Sequence, residues 1–490
     1  MRRITDSVLM VCAGSVSIKE LIMKKISAIT VVAATLTLGL AALFWWPRGG
    51  RPAMDDGASL PSLNSTEIDN TAKLVSSQSM GLRWSRFRGP NGCGLSDDTR
   101  IPTQWSDTDN LAWKVKLPGA GASSPILTEQ YVFVTSYSGY GESLQDLGDI
   151  NALKRHLSCI QRSNGEIVWT RSIDSEHRED PYQGNGLPQH GYATNTPVTD
   201  GQRVFAFLGK SGVIAFDLQG QQLWQVSVGT ESGNRGWGTA ASLMLYENMV
   251  IVNAAEESQR LLALDQATGE VVWEAPAATL ELCYSTPAIV HVDATRDDLV
   301  IAVPGEVWGM NPRNGKLTWY VRTSLTGNLS PSIIVDGTTV FAFGGYRSSG
   351  SLAIQAGGKG DVTASHVLWT SRNSSYVATP VLLDGRFYWI DDRGMYYSAS
   401  AETGELIHRA RVPDINDGGR PVYASPIAID GKIYIQTRSN GVLVLQPGDE
   451  LQVIAQNRLE SDKSIFNATP AVDAGQLFLR SDAYLYCVSQ

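Results

Sequence analysis

Acidic side chains follow several apolar, β-rich runs of this sequence, and carboxylates are the ligands that a calcium site would use. Calcium takes about six to eight oxygen ligands, so several of these side chains would have to converge. A carboxylate that follows a strand is more often a solvated loop residue. The sequence therefore assigns no metal ligand and no catalytic residue, although six carboxylates remain candidates for a site: Glu256, Glu257, Glu306, Asp391, Asp392 and Asp482.

Aromatic residues beside glycines form a second group of candidates. Trp237 and Trp308 each precede a glycine and could stack on a planar ligand, although packing between structural elements is the commoner use. His190 and Tyr192 lie in a glycine-bearing loop, where anchoring of the loop is the commoner role. Together with four of the carboxylates they give the candidate ligand-binding set: His190, Tyr192, Trp237, Glu256, Glu306, Trp308, Asp391 and Asp392.

An internal repeat must position these side chains. One copy runs from Ala263 through Asp265 and Thr268-Gly269 to Trp273, and the same frame ends at Trp169, Trp224 and Trp319, with His408 in place of the tryptophan in a later copy. A pair made of a small residue and proline precedes each copy, as at Thr286-Pro287 or Ser330-Pro331, and Ala241-Ser242 fills one place without proline. The prolines at 287, 331, 380, 426 and 470 are 44, 49, 46 and 44 residues apart. This spacing is typical of one four-stranded propeller blade per repeat.

The turn residues agree with that interpretation. Asp-Gly pairs such as Asp336-Gly337 and Asp430-Gly431 separate β-rich runs and favour tight hairpins. The repeats predict an all-β chain: an eight-bladed β-propeller of four-stranded antiparallel blades. The last blade lacks its tryptophan strand, and we expect residues 111–117 near the start to supply it and close the ring. Docking tryptophans that pack between blades are predicted at Trp113, Trp169, Trp224, Trp273, Trp319 and Trp369.

The N-terminal region differs in composition from the rest. Residues 26–46 carry no charge and are long enough to span a bilayer, with Lys24 and Lys25 before them and Trp45-Trp46 at the far end. This pattern predicts one transmembrane helix, uncleaved or cleaved after Ala42. Residues 1–25 would be cytoplasmic, and residues 1–22 are interpreted as an overextended gene start. Residues 47–80 would form a flexible linker, and residues 81–490 the propeller. The expected location is the inner membrane, single-pass, with the propeller in the periplasm.

Charge and cysteine content exclude several functions. The formal net charge of −9 argues against a nucleic-acid surface, which would need a basic patch. The five cysteines form no CxxC pair, so neither a zinc site nor covalent haem is expected. They are interpreted as buried small hydrophobic residues, with a disulfide as the alternative. A monomer is expected.

The repeat frame resembles the tryptophan-docking motif of the pyrroloquinoline-quinone (PQQ)-like propeller family. Three further segments resemble anchored members from planctomycete-type bacteria: 83–92, 190–192 and 478–487. The resemblance covers roughly residues 83 to 490 and is specific for fold rather than activity. The wider class includes quinoprotein alcohol dehydrogenases and the assembly lipoprotein BamB.

The resemblance leaves two functional interpretations. The favoured one is a non-catalytic scaffold in the cell envelope that binds a protein, peptide or glycan across one ring face, without a cofactor. The alternative is a PQQ- and Ca²⁺-dependent dehydrogenase acting on an alcohol or sugar. The resemblance implies that such an enzyme would hold its cofactor above the ring centre, often under a roof of two adjacent cysteines, and this sequence has no adjacent cysteines.

Overall fold

The computed structural model describes residues 50–55, 84–89, 91–143, 145–181, 190–346, 349–415 and 419–490. The predicted cytoplasmic segment 1–25 and the predicted span 26–46 lie outside these residues. Within them, every helix is too short to cross a bilayer.

Eight antiparallel sheets follow one another along the chain, which confirms the predicted eight-bladed propeller. Two strands precede the first complete blade: β1 (Leu95–Ser96) and β2 (Leu111–Lys116). Blade 1 contains β3 (Ile126–Leu127), β4 (Tyr131–Ser138), β5 (Lys154–Gln161) and β6 (Ile167–Asp174), and blade 2 contains β7 (Val198–Thr199), β8 (Arg203–Phe207), β9 (Val213–Asp217) and β10 (Gln222–Val226). Blade 3 contains β11 (Met244–Tyr246), β12 (Met249–Ala254), β13 (Arg260–Asp265) and β14 (Val271–Pro276). Blade 4 contains β15 (Ala288–His291), β16 (Asp297–Val303), β17 (Glu306–Met310) and β18 (Leu317–Arg322).

The second half of the ring repeats the same order, with the innermost strand first and the outermost last. Blade 5 contains β19 (Ile334–Asp336), β20 (Thr339–Gly344), β21 (Gly350–Gln355) and β23 (Val367–Ser371). Blade 6 contains β24 (Val381–Leu383), β25 (Arg386–Ile390), β26 (Met395–Ser400) and β27 (Leu406–Arg411). Blade 7 contains β28 (Ile427–Ile429), β29 (Lys432–Gln436), β30 (Val442–Gln446) and β31 (Gln452–Asn457). A short strand β22 (Gly360–Asp361) joins blade 4. Blade 8 has three strands from the C-terminus: β32 (Ala471–Asp473), β33 (Gln476–Arg480), β34 (Tyr484–Val488).

The two early strands complete the last blades. Strand β2 pairs antiparallel with β34, with Lys114 opposite Tyr486, so blade 8 takes its outer strand from the N-terminal part of the propeller. Strand β1 adds in parallel to β28 of blade 7. The predicted closing strand is thus confirmed, and the chain forms its ring by pairing its two ends.

In the ranges that the structure describes, helices are few and short. They are α1 (Ala255–Ser258), α2 (Thr363–His366) and three 3₁₀ turns at Ile150–Ala152, Gly209–Ser211 and Ala278–Leu280. The apolar core lies between neighbouring sheets, because each sheet buries both faces against the next blade. One such cluster joins Phe205 and Trp224 of blade 2 to Val250 and Leu264 of blade 3.

Five of the six predicted docking tryptophans make one repeated contact. Each donates its indole N–H to a backbone carbonyl in the next blade, as Trp273 does to Pro312 at 2.9 Å. The ring lies on the glycine of that blade's Thr-Gly, Asn-Gly or Gln-Gly turn, where a Cβ on Gly315 would stand 2.4 Å from Trp273. The turn glycine also has a φ of +70°, so both its backbone and its surroundings require glycine. The five are Trp113, Trp169, Trp224, Trp273 and Trp369.

Trp319 differs from the other five. It donates to the Asp298 carboxylate of its own blade at 2.6 Å and lies against Gly309. Blade 5 has no short glycine turn at the corresponding place, because residues 356–366 form an insertion that contains β22 and α2. That insertion pairs with β18, Trp319 opposite Gly360, and occupies the position where a docked indole would lie.

Candidate functional site

A circle of hydroxyl groups marks the centre of the ring. The backbone N–H of the serine or threonine that begins one blade donates to the hydroxyl of the corresponding residue in the next, at 2.8–3.3 Å. In blade 5 this residue is Ser332 instead of the predicted Ser330, since Pro331 here precedes the hydroxyl instead of following it. The circle runs through Ser124, Thr196, Ser242, Thr286, Ser332, Thr379, Ser425 and Thr469.

These hydroxyl-bearing residues line a cavity of about 370 Å³. Most of its remaining lining comes from the loops that lead into the innermost strands. Three of these loops carry a tyrosine two or three residues before the blade begins: Tyr284 before Thr286, Tyr376 before Thr379 and Tyr423 before Ser425. The aromatic lining consists of Phe87, Trp237, Tyr284, Tyr346, Tyr376 and Tyr423.

The aromatic rings pair with each other and with arginines. Trp237 stacks on Tyr284 with 6.1 Å between ring centroids, and Tyr346 lies 5.4 Å from Tyr376. The guanidinium of Arg235 lies 5.7 Å from the Trp237 ring, and that of Arg420 lies 5.3 Å from Tyr376. The cavity therefore presents flat apolar faces and two arginines, in a chain whose net charge is −9.

A third arginine–aromatic contact lies at the rim. Arg438 stands 4.9 Å from the centroid of Tyr423 and donates to the Asn467 amide oxygen at 2.9 Å. Both partners belong to the cavity lining. This places a third guanidinium at the edge of the cavity.

A buried polar cluster lies beside the cavity, around a void of about 20 Å³. Arg155 on β5 binds Glu179 with two hydrogen bonds of 2.7 and 3.0 Å, and Lys210 lies 3.5 Å from Asp180. Burial alone would raise the pKa of Glu179, but Arg155 outweighs it and holds that pKa below its usual range. A void of this size has room for about one water molecule.

Two other glutamates of the same cluster have raised pKa values, in contrast to Glu179. Glu256 and Glu257 on α1 are 4% and 2% exposed. Burial raises the pKa of Glu256 to about 7 and that of Glu257 to about 8, and the Glu256 charge adds to the shift at Glu257. The Tyr284 hydroxyl lowers the pKa of Glu256 in part and connects the cluster to the cavity wall.

The predicted ligand-binding residues separate into groups. His190 and Trp237 line the cavity, whereas Tyr192 and Glu256 belong to the polar cluster behind it. Asp392 is 9% exposed and lies 3.3 Å from Arg420, so it contacts the cavity only through that arginine. The other three lie elsewhere.

The remaining candidates have structural contacts. Asp391 accepts from the backbone N–H groups of Arg393 and Met395 and so holds a turn. Trp308 is fully buried between blades 3 and 4 and donates to Glu306 at 2.7 Å. Neither Glu306 nor Trp308 lines the cavity.

Sequence reasoning missed most of the aromatic and cationic lining, namely Arg235, Tyr284, Tyr346, Tyr376, Arg420 and Tyr423. A usable signal was present, because Tyr284, Tyr376 and Tyr423 each stand two or three residues before the serine or threonine that begins a blade. Aromatic residues at a fixed offset from the start of successive blades must come together at the centre of the ring.

The carboxylates do not form a calcium ligand set. In the described ranges, no group of three or more histidine, cysteine, aspartate or glutamate side chains could hold a metal ion. Beside the cavity, burial favours the neutral form of Glu256, Asp392 faces Arg420, and Asp482 accepts from the Gly121 backbone N–H. Calcium prefers several ionised oxygens at one point, so these residues do not fit it.

Comparison with known proteins identifies the family. The family model described as "Outer membrane protein assembly factor BamB" matches residues 98–281 and 237–410. BamB from Shewanella oneidensis is 23% identical over 299 residues, which cover 56% of this chain and 69% of that protein. BamB from Yersinia pestis is 22% identical over 322 residues, covering 60% and 70%.

Solved structures agree on the fold. BamB from Moraxella catarrhalis superposes with a TM-score of 0.54 at 15% identity, covering 77% of this chain and 96% of that one. A europium-containing methanol dehydrogenase gives a TM-score of 0.56 at 10% identity, covering 84% and 98%. Identities this low show the propeller fold alone. Because the family model spans well over half of the sequence, the chain belongs to the family described as outer membrane protein assembly factor BamB, within the PQQ-like β-propellers.

Proposed function

We propose that this chain is a non-catalytic binding scaffold of the cell envelope, and that its central cavity holds a carboxylate-bearing segment of a protein partner. The observation that carries this proposal is the lining of the cavity, where Arg235 and Arg420 lie against Trp237 and Tyr376. Membership of a family named for outer membrane protein assembly supports a protein as the partner. The periplasm is the proposed location.

The lining is suited to a peptide that carries both aromatic and acidic side chains. Aromatic faces bury apolar side chains and lose little conformational entropy on binding. A guanidinium held against an aromatic ring is already ordered, so less entropy is lost when it forms a bidentate contact with a carboxylate. The hydroxyl groups at the cavity base can hydrogen-bond a peptide backbone that enters the ring.

The alternative, a PQQ- and calcium-dependent dehydrogenase, receives less support from the residues. The arginines would suit the carboxylates of the quinone, but the calcium that accompanies it requires oxygen ligands. Burial favours the neutral form of Glu256, and Asp392 is paired with Arg420. We therefore propose no cofactor.

The proposal can be tested with labelled peptides and the purified full chain. A short peptide rich in glutamate and phenylalanine should bind and should be weakened by salt, whereas the same peptide with lysine in place of glutamate should not bind. Trp237→Ala and Arg420→Ala should each weaken binding about ten-fold, a change of about 1.4 kcal/mol. Arg386→Ala, at an exposed arginine paired with Asp449, serves as the control and should leave the affinity unchanged.

Three results would overturn the proposal. Equal binding of the acidic and lysine peptides would show that the arginines do not select the ligand. Saturable, calcium-dependent quenching of tryptophan fluorescence by PQQ, with reduction of a dye in the presence of alcohols or sugars, would establish the dehydrogenase instead. Binding of an acidic glycan in preference to the peptide would move the partner to another chemical class.

A further inference from the structure

The chain segment Arg51–Asp55 lies along the outer edge of blade 4, although its composition places it in a flexible linker. The Leu317 backbone N–H donates to the Ala53 carbonyl at 2.8 Å, and the Asp55 N–H donates to the Leu317 carbonyl at 2.8 Å. Met54 thus pairs in parallel with Leu317 at the start of β18. The segment therefore adds to the sheet as a short extra strand, and it is called the strap below.

Side chains hold the strap more specifically than its backbone does. The Arg51 guanidinium binds the Glu306 carboxylate through both Nε and Nη2, with Nε at 2.8 Å from Oε2. The same guanidinium lies over the Tyr320 ring, 3.6 Å from its centroid. Glu306 is oriented in turn by the indole N–H of Trp308, at 2.7 Å. An arginine is thus recognised by a planar carboxylate on one side and an aromatic face on another.

The other strap residues continue the contact. Pro52 is buried, and a proline cannot donate to a further strand, so it suits the outward side of an edge. Asp55 accepts from the Asn311 amide at 3.1 Å. The recognised sequence thus begins with Arg51-Pro52 and ends with Asp55. The two residues between them, Ala53 and Met54, make their contacts mainly through the backbone.

A second segment also pairs with the outer edge of blade 4. Further along β18, Trp319 and Tyr320 pair in parallel with Gly360 and Asp361 of blade 5, so the strap and β22 occupy successive parts of one edge. Among the outer strands of the blades that the structure describes, only β18 has further chain segments paired with its outer edge.

We propose that the outer edge of blade 4 is a binding site for an extended Arg-Pro-x-x-Asp segment, and that its occupant is residues 51–55 of the same chain. The pocket formed by Glu306, Tyr320 and Asn311 selects the segment, and the Leu317 backbone fixes its register. The site is separate from the central cavity and does not depend on the proposed function. It makes residue 51, and not residue 81, the point at which the propeller is attached to the preceding chain.

Hydrogen exchange on the purified full chain tests occupancy. The amides of Asp55 and Leu317 should be protected in the native chain, and Arg51→Ala should speed their exchange at least ten-fold. Glu306→Gln should do the same, because glutamine keeps an acceptor for Trp308 but loses the ion pair. Glu247→Gln is the matched control, since it removes an exposed ion pair with Arg313 in the neighbouring turn. Exchange of both amides in the native chain at the rate of the Arg51→Ala variant would overturn the proposal.

A peptide added in trans tests recognition. The double variant Arg51→Ala, Asp55→Ala should release the strap from the outer edge of blade 4. A labelled peptide with the sequence of residues 48–58 should then bind to that edge. The same peptide with alanine in place of Arg51 should bind at least ten-fold more weakly, as should the native-sequence peptide when Glu306→Gln is added to the protein. Equal binding of both peptides would contradict the assignment of Arg51 as the recognised residue.

The source of the strap can be settled by dilution. A strap supplied by its own chain gives amide protection that does not depend on protein concentration. Protection of Leu317 that disappears on dilution would instead mean that a second copy supplies the strap, and would overturn the assignment to the same chain. If Arg51→Ala does not fold, Asn311→Asp keeps the oxygen that accepts from the Arg313 backbone N–H, loses the donor to Asp55, and should raise the exchange rate of the Asp55 amide.

Discussion

The indole of Trp224 in blade 2 lies directly on Gly269 in blade 3, so that a Cβ on this glycine would stand 2.7 Å from the ring. The indole N–H donates to the Gln266 carbonyl of the same turn at 3.1 Å. One side chain thereby joins two blades by packing and by a hydrogen bond. The same pairing recurs at four other blade junctions.

Gly269→Ala should therefore destabilise the propeller more than loss of glycine alone explains. The φ of +77° costs an alanine about 1–2 kcal/mol, and displacing the Trp224 ring adds about 1–3 kcal/mol. Gly431→Ala is the control, because Gly431 has a φ of +67° but no atom within 4 Å of its Cβ position. Urea unfolding followed by tryptophan fluorescence measures both. Equal losses would show that the indole contact adds nothing.

Closure of the ring depends on Arg162 of blade 1. Its guanidinium donates to the Asp473 carboxylate and backbone carbonyl of blade 8 at 2.7 and 2.6 Å, and to Gln476 at 2.6 Å. Arg162→Ala should lower the free energy of unfolding by about 3–5 kcal/mol, since the largely buried Asp473 carboxylate loses its ion pair with Arg162.

The exposed pair of Arg386 and Asp449 provides the comparison for ring closure. Arg386→Ala should cost less than about 1 kcal/mol, because solvent screens such pairs. Both variants can be measured by urea unfolding. If the two arginine variants lose equal stability, Arg162 has no special role in closing the ring.

The buried Glu257 should make stability depend on pH. Its pKa in the native chain is raised by burial to about 8, whereas the ordinary value is 4.5. Between these values the native state holds a proton that the unfolded state releases, so this contribution to the free energy of unfolding is full below pH 4.5 and is lost as pH rises through 8. Glu257→Gln removes the titration. The variant should match the native chain at pH 5 and exceed it by roughly 1–3 kcal/mol at pH 8.5.

Thermal unfolding at the two pH values gives the comparison for Glu257. Glu274→Gln is the control, because Glu274 is half exposed beside Arg260 and should change little at either pH. A Glu257→Gln variant that is less stable than the native chain at pH 8.5 would contradict the expected direction.

The four cysteines that the structure describes are all free thiols. Cys159, Cys283 and Cys487 are buried, while Cys93 is partly exposed, which agrees with the interpretation of cysteines as small core residues rather than a disulfide. In a Cys12→Ser background, one thiol should therefore react quickly with a maleimide in the native chain, and Cys93→Ser should abolish that reaction. A reductant should leave the melting temperature unchanged. A fall in melting temperature on reduction would reveal a disulfide.

The sequence alone determined the number of blades and the way the ring closes. Blade identity is encoded locally, in Thr-Gly turns, Asp-Gly hairpins and the tryptophan at a fixed distance, so each copy such as 263–273 can be recognised by itself. Closure followed from counting, because the last blade lacked a strand and residues 111–117 supplied one. The exception at Trp319 depended on its neighbour, since the insertion at 356–366 removes the glycine on which that indole would dock.

The tertiary structure alone decided the composition of the cavity and the position of the strap. Tyr284, Tyr376 and Arg420 come from separate blades and meet because the ring brings equivalent loops to one axis. Glu306 and Trp308 appeared to be candidates for a ligand site, yet they orient Arg51, a residue 255 positions away along the chain. Such contacts depend on where a closed ring places distant loops, and no local pattern of residue types encodes that distance.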